Sequence, residues 1–153
     1  MLAIALLLQT EVLHFFAWRN AEISAVLATV VWYALHTDVR RAAVFGLIAG
    51  VCEDVLATHT GAAFTISTTI TATLAGMLAS RFFADSLPLL LGIMFVATLV
   101  RNATFWIILS LQGYPSGYAP LHVHQTLKEA VMNGCVLLVV QLLLRWRAAA
   151  AQR

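Results

Sequence analysis

The stretch Val44–Phe83 reads VFGLIAGVCEDVLATHTGAAFTISTTITATLAGMLASRFF. It holds two apolar runs separated only by Thr58-His59-Thr60-Gly61, and each run carries a stripe of small residues. Gly46, Gly50 and Asp54 recur at every fourth position, as do Thr68, Ala72, Gly76 and Ser80. Residues four apart share a helix face, so the spacing predicts two helices joined by a very tight turn. Small faces of this kind let helix backbones approach closely, and hydroxyls can bond across the contact. Thr65, Thr69 and Thr73 flank the second stripe. The pattern fits packing within the chain, with a threonine-lined substrate groove as the alternative.

On either side, charge, Gly and Pro divide the rest of the chain in the same way. Six apolar stretches result: Met1–Phe16, Ala21–Thr37, Ala42–Thr58, Ala62–Phe82, Leu87–Leu111 and Thr126–Trp146. A helix that crosses a bilayer needs roughly 20 mostly apolar residues, so six of them leave little chain outside the membrane. Composition agrees. Of 153 residues, 61% are apolar and only 10% charged, and mean hydropathy is +0.89. Soluble domains have about 25% charged residues, too many for this chain to match while hiding its apolar side chains. These proportions exclude a soluble enzyme, a disordered linker and a free nucleic-acid binder, and a net charge of +2 is too small to imply a polyanionic partner. The expected fold is all-α: one polytopic transmembrane domain over residues 1–153, built as a six-helix bundle. Five spans result if the turn at Thr58–Gly61 joins a re-entrant pair.

Boundary residues fit these limits. Asn20 and Asp38 can cap the second and third helices, and Asp85-Ser86-Leu87-Pro88 supplies a cap and an early proline for the fifth. Thr126-Leu127-Lys128-Glu129 reads as a capping box opening the sixth. With both termini cytoplasmic, Arg40, Arg41, Arg81, Arg145, Arg147 and Arg153 lie inside and only Arg19 and Lys128 outside, the orientation that the positive-inside rule favours. The basic tail faces anionic lipid headgroups. No cleavable signal is expected, since Leu2–Leu8 is followed by Gln9 and Glu11.

Charges inside spans are costly, about 2.5–3.5 kcal/mol each at mid-bilayer, and so they need partners. Asp54 lies roughly 20 Å along its helix from Arg41, and Arg101 lies at a similar depth past Leu87. This matching predicts a buried ion pair of Arg101 with Asp54 or with Glu53, extended by Asn102 and Asn133. Its expected role is to set helix register, because Glu11, Glu53, Asp54 and Arg101 form no ladder across the bilayer that could relay protons. Glu129 is assigned to its capping box. His122-Val123-His124, placed in the outer loop, lacks further ligands for a metal, and Cys52 and Cys135 read as small buried hydrophobes. No Ser-His-Asp spacing, phosphate loop or paired-carboxylate motif occurs, so no catalytic residue, cofactor or metal is assigned.

The segment Val44–Phe83 resembles the signature region of the MreD family of rod-shape-determining membrane proteins. Its first glycine, second glycine four residues on, aspartate four beyond and turn glycine fall at Gly46, Gly50, Asp54 and Gly61, and Asn133-Gly134 is similar to the family's last helix. The likeness in length and span count extends loosely over the whole chain. It departs where Thr60 replaces a leucine and where Arg19-Asn20-Ala21-Glu22 replaces a proline before the second helix. The resemblance implies a fold similar to the substrate-binding subunits of energy-coupling-factor vitamin transporters. It also implies a non-enzymatic role in the inner membrane, binding MreC and working with MreB, RodA and a class B penicillin-binding protein in cell elongation and peptidoglycan synthesis. A small-molecule transporter subunit is the rival reading. It lacks its usual docking motif, since Ala3 is followed by Leu7 and Ala5 by Gln9. A lipid-handling enzyme lacks any placed nucleophile.

Overall fold

The computed structural model describes residues 24–57, 60–81, 86–113 and 119–151. These residues form five helices and no strand: α1 (Ala25–Leu35), α2 (Val39–Leu56), α3 (Ala63–Arg81), α4 (Leu87–Leu111) and α5 (Ala119–Ala151). The expected first span, with Glu11, and the cap residue Asn20 lie outside the described residues. Two helices, α3 and α4, are long and apolar enough to cross a membrane. The stretch expected as the second span is shorter than the sequence suggested. With 11 residues α1 is about 17 Å long, well under the roughly 30 Å of a bilayer core.

Consecutive helices pack on one another, and α1 touches all four others. Two adjacent stripes on α1 explain this central place. Val26 and Val30 join Ala49 of α2 and Ala72 of α3 in one cluster. Leu27, Val31 and Ala34 join a second cluster with Ala42, Ala75, Met94, Ala97 and Leu137 from the other four helices. The helix starts at Ser24, whose hydroxyl accepts from the Leu27 N–H at 3.1 Å. Asp38 holds the cap position of α2 but makes no capping bond with its side chain, which instead lies 3.9 Å from Arg41 Nε. Pro88 occupies the first turn of α4, where a missing N–H costs nothing.

The α2–α3 hairpin is the most extensive contact in the molecule. The two small-residue stripes face each other there. A Cβ placed on Gly46 would lie 2.5 Å from Ala72 Cβ and 2.9 Å from the Thr68 carbonyl oxygen, and one on Gly50 would lie 2.5 Å from Thr65 Cα. Ala42 meets Gly76 at the far end of the same seam. Gly61, with φ +61°, takes a left-handed conformation in the turn, which only glycine adopts without strain. Gly134 differs from these: a Cβ there would meet only Leu91 Cδ2 at 3.9 Å, so it permits no close backbone approach.

Helix α5 departs most from the sequence reading. It begins at Ala119, with Pro120 in its first turn, and so runs well past the expected start at Thr126. Thr126–Glu129 therefore cannot be a capping box, and His122 and His124 stand on the helix rather than in a loop. The surface is apolar: Val55 is 73% exposed, Leu111 83%, and Val44, Ile107, Val131 and Val139 are exposed too. Cys135 lies on this exposed surface instead of in the core, and Cys52 is half-buried.

Gly50→Ala is expected to force α2 and α3 apart and to lower stability by at least the roughly 1–3 kcal/mol of an overpacked core. Gly134→Ala is expected to be neutral. Unfolding of the purified protein in mixed micelles compares the two, and equal effects would mean that the hairpin is not close-packed at Gly50.

Candidate functional site

Six buried polar side chains, Ser24, Glu53, Thr68, Thr98, Arg101 and Asn133, meet in one network that reaches all five described helices. Glu53 on α2 and Arg101 on α4 are 4% and 6% exposed, and Arg101 Nη2 donates to Glu53 Oε1 at 2.6 Å. Arg101 Nη1 donates to Ser24 Oγ at 2.9 Å, at the start of α1. The Ser24 N–H donates to Asn133 Oδ1 of α5 at 3.0 Å, and Asn133 Nδ2 reaches Thr98 Oγ1 of α4 at 3.5 Å. Thr68 of α3 donates to Glu53 Oε2 at 3.2 Å. The guanidinium carbon of Arg101 also lies 5.2 Å from the centre of the Phe64 ring, within cation–π range. Arg101 Nε has no hydrogen-bond acceptor among the described residues.

Depth matching had left two candidates for the partner of Arg101. The structure selects Glu53, and Asp54 has a different task. Adjacent residues point about 100° apart on a helix, so Glu53 turns into the bundle while Asp54 turns along the hairpin seam. There Asp54 accepts from the backbone N–H groups of Phe64 at 3.1 Å and Thr65 at 2.7 Å. It also accepts the hydroxyls of Thr60 at 2.8 Å and Thr65 at 2.6 Å. Phe64 and Thr65 are the second and third residues of α3, whose N–H groups lack partners within the helix. Asp54 is thus the N-cap of a helix other than its own, and its charge sits at the positive end of the α3 dipole.

Asn102 does not belong to the Arg101 network. Its Nδ2 donates to Glu129 Oε2 at 2.5 Å and to Thr126 Oγ1 at 3.3 Å, joining α4 to α5 nearer their connection. The pair expected to cap α5 thus ties the two helices together. His122 stacks on Trp106 with ring centres 3.3 Å apart. Burial against the indole disfavours the charged imidazolium and lowers the pKa of His122. His122 and His124, two residues apart on a helix, do not face each other. Among the described residues no group of three or more His, Cys, Asp or Glu side chains could hold a metal ion.

The α3 hydroxyls are engaged within the chain. Thr69, Thr71 and Thr73 each donate to the carbonyl four residues back, and Thr65 serves Asp54. The protons of these hydroxyls are thus committed, and only their acceptor lone pairs remain. Sequence reasoning missed Ser24 and Thr98. Ser24, a good capping residue directly before the run Ala25–Leu35, carried a readable signal that Asn20 masked. Thr98 lies one turn before Arg101 on the same face, and nothing in its neighbours marks it. Comparison with protein-family models, characterised proteins and solved structures finds no match to this chain.

The charge reversal Arg101→Glu buries two carboxylates together and is expected to cost about 3–5 kcal/mol, the usual penalty for breaking a buried pair. Glu53→Arg added to it should restore at least half of the lost stability, whereas Asp54→Arg should make matters worse. Thermal unfolding of the three proteins tests the assignment, and rescue by Asp54→Arg would overturn it.

Proposed function

We propose that the chain is a non-enzymatic, multi-pass subunit of the MreD kind. In this reading it lies in the bacterial inner membrane with both termini cytoplasmic, binds MreC, and helps organise MreB, RodA and a class B penicillin-binding protein for cell elongation. One observation carries the reading. Four of the residues on which the resemblance rests form a single physical unit, with Gly46 and Gly50 seated on the α3 backbone, Gly61 in the turn and Asp54 capping α3.

The distribution of polarity also supports it. Large apolar side chains cover the outside while Glu53, Arg101, Asn133, Thr68 and Thr98 are buried. Exposed apolar surface of this extent marks contact with lipid or with other proteins, and intramembrane charges face the bundle interior. With its interior groups committed to one another, such a chain acts through lipid-facing surfaces and short connections.

Affinity-tagged full-length protein, purified from its own membranes, is expected to bring MreC with it. Asp54→Ala should reduce that co-isolation at least severalfold while leaving membrane insertion intact. Isolation without MreC, but with a small molecule held stoichiometrically, would replace this reading with that of a transporter subunit.

A further inference from the structure

At the α1–α2 corner a groove of about 330 Å³ is lined by Tyr33, Arg40, Arg41, Val44, Phe45 and Ile48. Arg41, Val44, Phe45 and Ile48 stand at positions i, i+3, i+4 and i+7, so they form one stripe along α2. Tyr33 stacks on Phe45 with ring centres 4.4 Å apart and makes the opposite wall. The result is an open track with two guanidinium groups at one end and roughly 10 Å of apolar side chain beyond them. We propose that this groove binds one anionic phospholipid, with its phosphate on Arg40 and Arg41 and the upper part of an acyl chain along Val44, Phe45 and Ile48. The proposal rests on the membrane reading above.

Charge and shape both select this occupant. Arg40 makes no ion pair among the described residues, and Arg41 has only a loose contact with Asp38, at 3.9 Å between two exposed side chains. Exposed pairs of this kind contribute little, so both cations remain available to a phosphate. Asp38 also makes no capping bond, and the first-turn N–H groups of α2 add positive potential at the same end. A free phosphate would gain nothing from the apolar walls, and a zwitterionic choline headgroup would bring its ammonium against two guanidinium groups. Basic pockets between helices at a membrane surface take anionic headgroups for these reasons.

The test uses the full chain in neutral detergent, with phosphatidylglycerol and phosphatidylcholine of matched acyl chains added in equal amounts and bound lipid counted by native mass spectrometry. One phosphatidylglycerol per chain is expected to be retained over phosphatidylcholine by roughly thirtyfold, as two such contacts supply. Arg40→Gln with Arg41→Gln should bring the two lipids near parity, and Ile48→Trp, which fills the track, should lower retention of both. Equal retention by the natural chain, an unchanged preference in the double variant, or displacement by inorganic phosphate at equal concentration would each overturn the proposal. Should the double variant fail to fold, the lipid and phosphate arms on the natural chain decide alone. Carbonate extraction of membranes keeps the two readings apart. Release of the chain sinks the membrane reading, while a chain that stays in the membrane without lipid preference sinks only the groove.

Discussion

The arrangement of helices depends on the ion pair between Glu53 and Arg101. Each charge alone would be too costly to keep in an apolar interior, and together they cost less the more of their remaining hydrogen-bonding capacity is met, as it is among the described residues at Nη1 and Nη2 of Arg101 but not at Nε. That condition draws in Ser24, Thr68, Asn133 and Thr98, and with them every described helix. An apolar core of Val, Leu and Ala tolerates sliding by a turn at modest cost. A guanidinium fixed at two nitrogens does not, since Nη2 must find Glu53 Oε1 and Nη1 must find Ser24 Oγ. The network therefore contributes register more than stability. This matters most for α1, which is too short to be positioned by membrane thickness and instead is held at its cap residue, Ser24.

Asp54 solves a different problem one residue away. The residue before α3 is Ala62, whose side chain has no acceptor to cap the helix. The cap comes from the preceding helix, and it can do so only because Gly46 and Gly50 bring the backbones within reach. Glycine seam and aspartate cap are thus one device: a larger side chain at Gly50 would move Asp54 away from the N–H groups of Phe64 and Thr65 as well as opening the packing. Adjacent acids on α2 have separate duties because a helix turns by about 100° per residue.

Much of this was legible in the sequence, and the reasons for the rest are physical. The limits of α3 and α4 follow from long apolar runs with clear punctuation, and the facing small-residue stripes follow from the four-residue period. The depth argument found the Arg101 site but could not choose between Glu53 and Asp54, since axial position says nothing about which way a side chain turns. Thr126 and Glu129 carry the residue types of a capping box, yet α5 begins at Ala119 and their side chains serve Asn102. A capping motif and a polar clamp between helices use the same residues, and only the tertiary partner separates them. The start of α1 failed for a similar reason, because Asn20 and Ser24 are equally good caps and Ser24 is selected by Arg101 and Asn133.

The two halves of the bundle are joined by different physics. Between α2 and α3 the contact is backbone on small side chains, and its energy comes from close approach that a single added carbon abolishes. Between α4 and α5 the glycine at Gly134 has space around it, and the helices are tied by Asn102 with Thr126 and Glu129. The seam fails when a side chain is enlarged, whereas the clamp fails when a hydrogen-bonding partner is removed. The same change, a methyl group added to a glycine, is accordingly costly at Gly50 and not at Gly134.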